Sequence, residues 1–198
     1  MEFFDRLEGV SARWDVLRHP FYRRWSCGEL TREDLAYYAG EYRHLVVALA
    51  ETARRASDVE HAAEEAGHVA LWDDFAAAAG AAAGEPRPET YACVAAWTPG
   101  DELEGLAVLH AVESAQPAIS RTKLDGLVRF YEFEEGPATA YFALHATLDE
   151  EHAARSRAGL EARSGEADEE RLLGAAEAAL RGNWTMLDGV ECGLRERA

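Results

Sequence analysis

Apolar residues in this chain recur three and four positions apart, and no stretch alternates apolar with polar over a strand's length. That periodicity predicts an all-α protein. A first helix is expected over Phe3–Leu17, broken by His19–Pro20, with a short turn of helix over Phe21–Cys27 that stops at Gly28. Thr31 is suited to cap the next helix, with Asp34 at its third position and Leu30 facing Leu35 across the start. The inward stripe of that helix reads Leu35, Tyr38, Tyr42, Leu45, Leu49. Further helices are expected over His61–Ala79, Glu89–Ala96, Glu102–Leu127 after an Asp101 cap, Tyr141–Arg163 with Pro137 leading in, and Glu169–Val190. Ser164–Asp168 reads as the turn before the last. The expectation is a seven-helix bundle in one domain, residues 1–198.

Several apolar stripes carry groups that do not belong in a core. On the helix through Tyr141–Arg155, His145, Asp149 and His152 fall within about 60° of arc, in phase with Tyr141, Leu144 and Leu148. Burying two imidazoles and a carboxylate is costly unless each finds a partner, and a bound metal partners all three. Glu64 and His68 lie one turn apart and in phase with Leu71, Trp72 and Phe75. Glu60, His61 and Glu65 are close enough to leave the ligand on this helix open. Glu113 sits on the stripe Leu106, Leu109, His110, Glu113, Pro117. Pro117 removes the N–H that would bond the Glu113 carbonyl, loosening the helix one turn past that carboxylate. Lys123 flanks the same side.

Three carboxylates and three imidazoles, without a thiolate, suit iron or manganese better than structural zinc. Six ligands exceed what one catalytic ion with open positions can use, but fit two ions sharing a carboxylate, a site that helical bundles build from facing helices. The usual Glu-x-x-His signature is absent, and His-x-x-x-Asp-x-x-His stands in its place.

Composition narrows the partners. A formal net charge of −17 argues against nucleic acid and anionic membranes. No apolar run is long enough to cross a bilayer, and the N-terminus does not read as a signal peptide. Cys27, Cys93 and Cys192 are odd in number and scattered, which suits reduced thiols in a cytoplasmic setting.

The segments HPFYRRW (19–25), GELTREDLAYYAGEY (28–42), EEAGHVALW (64–72), ESAQPAISRTKLDGL (113–127) and YFALHATLDEEHA (141–153) together resemble the haem-oxygenase-like di-iron oxidases, whose fold is shared with TenA and PqqC proteins. The resemblance implies that Glu64, His68, Glu113, His145, Asp149 and His152 hold two iron ions, or manganese and iron, and that O2 and an external reductant are consumed. Within that group the chain is most similar to the chlamydial protein associating with death domains and its bacterial relatives, para-aminobenzoate synthases that consume their own side chains. The likeness implies that Tyr22 or Tyr38 supplies the ring, that Lys123 supplies the amine, that the product feeds folate synthesis, and that the protein is a homodimer. Two departures stand out. The interval Glu64-x-x-x-His68 is three residues shorter than in the family, and Tyr131-Glu132 replaces a frequent Tyr-Gly. Rival expectations are oxidation of an external fatty acid, amino acid or amine, and a helical binding module without catalysis.

Overall fold

Helix starts in this protein are set by side chains that take up the free N–H groups of each first turn. The computed structural model describes residues 3–163 and 169–197, so the turn expected at Ser164–Asp168 lies outside the described residues. Thr31 and Asp34 form a reciprocal capping box at the start of one long helix; Asp58 accepts from the His61 N–H and Asp101 from the Glu104 N–H at two others. His19 caps through its ring, Nδ1 accepting from the Phe21 N–H at 3.1 Å, with Pro20 in the first turn. Gly28 ends that helix at φ 71°.

The described residues form nine α-helices, not seven, and no strand: α1 (Phe3–Arg13), α2 (Pro20–Cys27), α3 (Arg32–Ala56), α4 (Val59–Ala79), α5 (Pro88–Trp97), α6 (Glu102–Phe130), α7 (Pro137–His145), α8 (Asp149–Ala162) and α9 (Glu169–Arg197). The extra two have local causes. Phe21–Cys27 is a full helix once Pro20 and the His19 cap are counted. The stretch expected to run unbroken over Tyr141–Arg163 turns at Ala146–Leu148, where bonds tighten to the third preceding carbonyl (Thr147 to Leu144, Glu150 to Thr147, Glu151 to Leu148). Arg121 of α6 donates to the Ala146 carbonyl at 2.7 Å. The expected first helix also stops short, at Arg13, and a 3₁₀ turn over Val16–Arg18 follows, with the Asp15 carboxylate accepting from the Leu17 N–H.

α3 packs along α4, α6 along α8, and α5 along α9, while α6 touches α3, α7 and α9 and so runs through the middle. Three fully buried tryptophans pin neighbouring helices by donating to main-chain carbonyls: Trp25 to Lys123 on α6 (3.1 Å), Trp72 to Ala39 on α3 (2.9 Å) and Trp97 to Ala179 on α9 (3.1 Å). Gly126 lets Trp25 lie against α6, since a Cβ there would fall 2.5 Å from the indole. These bonds tie α2 to α6 at Lys123, α4 to α3 and α5 to α9.

The Tyr131-Glu132 departure has a backbone consequence. Glu132 has φ 59°, the left-handed region that costs a residue with a Cβ about 1–2 kcal/mol. Glu132→Gly is expected to raise stability by about 0.5–1 kcal/mol, after allowing for the larger unfolded-state entropy of glycine. A urea midpoint unchanged or lower in that variant would contradict this.

Candidate metal centre

One stripe of α4 faces α6 and α8. His61, Glu65, His68, Trp72 and Phe75 lie within about 80° of arc, and all are buried. Glu64 points about 60° off His61 and keeps 32% of its side chain exposed. Adjacent helical residues point about 100° apart, so Glu64 and Glu65 cannot both face inward. The structure puts Glu65 in the cluster and Glu64 outside it. His61 lies near the centre of the arc set by Trp72 and Phe75, so its phase picks it out; Glu64 and Glu65 fall about 50° to either side of that centre, and packing against α6 and α8 rather than phase selects Glu65.

Glu113 comes from α6, His145 from the last residue of α7, and Asp149 and His152 from the first turn of α8. The break at Ala146–Leu148 lies between His145 and Asp149. Potential ligand atoms gather in two groups: His61, Glu65, Glu113 and His152, and Glu65, His68 and His145, the atoms of each group lying within 4.8 Å of one another. Glu65 belongs to both. Its Oε1 is 3.0 Å from His68 Nδ1 and 3.3 Å from His152 Nδ1. His61 Nε2 lies 2.8 Å from Glu113 Oε1 without the alignment of a hydrogen bond, and the His61 and His152 rings stack at 4.0 Å.

The orientation of these side chains is fixed from outside the cluster. His145 Nδ1 donates to the Tyr141 carbonyl at 2.7 Å, which leaves Nε2 as a bare lone pair. Ser156 Oγ sits 2.9 Å from both Glu113 Oε2 and the His152 carbonyl. Asp149 falls in neither group but borders them, its Oδ1 3.6 Å from His152 Nδ1; His61 Nε2, Glu113 Oε1, His145 Nε2, both Asp149 oxygens and His152 Nδ1 are buried without a hydrogen-bond partner. So many converging buried polar atoms without partners are costly unless a cation lies among them. Nitrogen and oxygen donors of this kind suit iron or manganese, so the residues present fit such an ion.

Without a metal, protons take over part of that task. Burial pushes the Asp149 carboxyl up to about 7. Burial also works against a charged His152, but Asp149, Glu65 and Glu64 around it outweigh that and hold the imidazole up at about 10. His145 is pushed down to about 4 by burial and by His68 beside it. Burial opposes a charged Glu65 too, yet His152 and His68 together keep it below the ordinary carboxylate range.

Next to the cluster lies a closed aromatic chamber holding Lys123, which is 0% exposed and whose Nζ has no hydrogen-bond partner. The Nζ is 4.4 Å from the Tyr42 ring centre, 5.4 Å from Tyr38, 5.5 Å from Tyr22 and 5.6 Å from both Trp72 and Phe142. Ring faces attract the ammonium, but burial dominates and lowers the lysine to about 7. The Tyr22 and Tyr38 hydroxyls are 2.9 Å apart, one donating to the other, and burial raises both phenols well above their usual range. The chamber and the cluster share a wall: the Tyr141 ring stacks on His145 at 3.9 Å and meets Trp72 at 4.9 Å. Tyr22, Tyr38 and Lys123, singled out in the sequence, are thus brought together. Of the rings around the amine, that of Tyr42, which the sequence placed only on the inward stripe of its helix, lies nearest.

Comparison with known proteins agrees with this architecture. Residues 29–184 match the model of a family described as iron-containing redox enzymes. A protein of Chlamydia muridarum named 4-aminobenzoate synthase is 32% identical over 95% of this chain and 89% of its own length. One of the same name from Nitrosomonas europaea is 30% identical over 95% and 90%. Among solved structures, a haem-oxygenase-like domain of unknown function from Shewanella denitrificans superposes with a TM-score of 0.74, at 19% identity over 98% of this chain and 94% of that one. A TenA homologue from Pseudomonas syringae gives 0.76, at 16% identity over 94% and 89%. These two establish the haem-oxygenase-like fold. No described helix is long and apolar enough to cross a membrane. The all-α fold, the buried nitrogen and oxygen donors and the match across most of the chain lead to one assignment: this chain belongs to the family of iron-containing redox enzymes.

Proposed function

We propose that this protein makes 4-aminobenzoate from its own side chains, taking the ring from Tyr22 or Tyr38 and the nitrogen from Lys123. The observation that carries the reading is the lysine: a fully buried amine without a hydrogen-bond partner, enclosed by tyrosine rings beside a cluster of orphaned metal-type donors. A structural lysine has no reason to be there, since a buried ammonium is costly and an apolar residue would pack as well. The relatives named 4-aminobenzoate synthase support it. The residues that would hold the ions are His61, Glu65, His68, Glu113, His145, Asp149 and His152, with Glu64 outside. Two bound iron ions, or manganese and iron, supply O2 activation with electrons from an external reductant.

The chain's own groups do the rest. Burial lets Lys123 lose its proton near neutral pH, and the free amine is the nucleophilic form. The Tyr22–Tyr38 hydroxyl pair keeps one phenol proton on a defined line, and their raised pKa values keep both phenols neutral until oxidation. Tyr141 and Trp72 are the aromatic contacts between His145 and the chamber. Trp25 and Phe21 pack on Tyr22 and, with Trp72, close the chamber to water.

The test is to reconstitute metal-free protein with ferrous iron, a reductant and O2, adding no organic substrate, and to quantify 4-aminobenzoate by mass spectrometry. The expected yield is at most about one per chain, since the nitrogen source is spent. Tyr22→Phe and Tyr38→Phe should each retain iron, and the one that loses all product marks the consumed ring. One feature favours a second reading, oxidation of an external fatty acid, amino acid or amine. A pocket of about 300 Å³ between the 3₁₀ turn, α6 and α9 reaches Val112 and Gln116, which flank Glu113 along α6. Iron bound with no product until such a molecule is added would select it.

A further inference from the structure

Outside the cluster, His152 meets a second carboxylate. Its Nε2 lies 2.9 Å from Glu64 Oε2. A carboxylate only accepts, so Nε2 carries the proton in this contact. That leaves Nδ1 facing Glu65 Oε1 at 3.3 Å and Asp149 Oδ1 at 3.6 Å, inside the orphaned cluster. Glu64 is in turn faced by a guanidinium: Arg155 Nη1 is 3.5 Å from Glu64 Oε2 and 3.8 Å from Glu60 Oε2, and Nη2 is 3.9 Å from Glu151 Oε2. Arg155 lies on α8, three residues past His152, so one helix carries both the imidazole and the cation that holds its carboxylate.

We infer that Glu64 is a positioning residue for His152: it fixes Nε2 as the protonated nitrogen and aims Nδ1 at the metal, while Arg155 holds Glu64 on the outside. The inference rests on the metal reading above and adds to it a role for a residue that does not touch the ions. Neither the sequence resemblance, which makes Glu64 a ligand, nor the relatives' names assign it. The physical reason is the ambiguity of imidazole. Either nitrogen of His152 can bind a metal, and a wrongly tautomeric ring would present an N–H to the ion. A hydrogen-bonded carboxylate behind the ring removes that choice and makes the ligand a better donor, an effect that mutation studies elsewhere put at 10–100-fold in metal affinity. Arg155, 3.5 Å from Glu64 Oε2, holds that carboxylate turned outward, so that Glu65 alone fills the inner position.

The experiment uses full-length protein, wild type, Glu64→Ala, Glu64→Gln and Arg155→Leu. Anaerobic titration with ferrous iron measures affinity and stoichiometry. Nitrogen-15 NMR of the histidine side chains in the zinc-loaded protein reads which His152 nitrogen carries the proton. Wild type should bind two ions with His152 protonated at Nε2. Glu64→Ala should bind one ion about 10–100-fold more weakly and lose the single Nε2-protonated signal. Glu64→Gln, which can still accept the bond, should keep the signal and recover part of the affinity. Arg155→Leu should weaken the same ion by less. A Glu64→Ala protein with unchanged affinity and an unchanged His152 signal overturns the positioning role while leaving the metal reading intact. A wild type that binds no iron overturns the metal reading itself. A Glu64→Ala protein that loses both ions outright makes Glu64 a ligand and also overturns the inference. Glu64 is a third exposed, so the metal-free variants should still unfold in one cooperative thermal transition with at most a modest loss of stability, which excludes misfolding as the cause.

Discussion

Lys123→Met should bind the same number of iron ions as wild type and make no 4-aminobenzoate. Methionine fills nearly the volume of the lysine stem, so the chamber of Tyr22, Tyr38, Tyr42, Trp72 and Phe142 keeps its packing and only the nitrogen is lost. The same variant reports the energetics of burial. The folded lysine titrates at about 7, against 10.5 for the free side chain. Between these values the unfolded chain binds a proton that the folded chain does not, so the lysine's contribution to stability rises with pH. Below about pH 7 both states are charged and the full burial cost applies. The stability advantage of Lys123→Met over wild type, measured on metal-free protein, should therefore be greatest near pH 6. It should shrink by up to about 1.4 kcal/mol per pH unit between pH 7 and 10. Product from the variant would end the lysine's role as nitrogen source. A pH-independent stability difference would contradict the buried-amine account.

Glu65→Ala is expected to remove both ions, whereas removing its neighbour Glu64 weakens one. Glu65 belongs to both groups of converging donors, so its loss deprives each ion of a ligand. The metal-free protein should suffer as well. The Glu65 carboxylate lies between His68 and His152, and deleting one partner of a buried ionic group costs about 3–5 kcal/mol. Its folded pKa is depressed, so this contribution is fully present above the ordinary carboxylate range and is lost as pH falls through the folded value. The stability gap between wild type and Glu65→Ala should accordingly be full at pH 7 and narrow in acid. Two ions retained by Glu65→Ala, with both lost by Glu64→Ala, would reverse the assignment of these neighbours.

That reversal matters because the two glutamates are where reading the sequence and seeing the structure part. The spacing of His145, Asp149 and His152 against apolar neighbours was enough to place all three in the core, as was that of Glu113 and His68. If Leu71 is counted as buried with Trp72 and Phe75, the stripe on this helix is centred closer to Glu64 than to Glu65. Leu71 is only partly buried; without it Trp72, Phe75 and Ala79 centre the stripe on His61 and leave Glu64 and Glu65 almost equally placed on its two sides, so packing against α6 and α8 makes the choice between them. The apparent three-residue shortening has the same origin, since it is counted from Glu64; His61 lies three residues earlier. The break at Ala146–Leu148 had no glycine or proline to announce it. It is fixed by Arg121 reaching across from α6, a tertiary contact that local sequence does not encode. Periodicity placed Lys123 only at the flank of a stripe. Its complete burial follows from α2, α3 and α7 packing on α6, with the Trp72 ring of α4 closing over the amine, so the resemblance singled it out and the packing explains it.

The central claim is that the product's atoms come from the protein. The most direct measurement is to prepare protein with ring-carbon-13 tyrosine and side-chain-nitrogen-15 lysine, load it with iron, expose it to O2 and reductant in unlabelled buffer, and weigh the 4-aminobenzoate formed. The account predicts that the product carries both the labelled ring and the labelled nitrogen, and that the spent chain has lost mass at Lys123 and at Tyr22 or Tyr38. Unlabelled product, or product formed repeatedly from one chain, would contradict it.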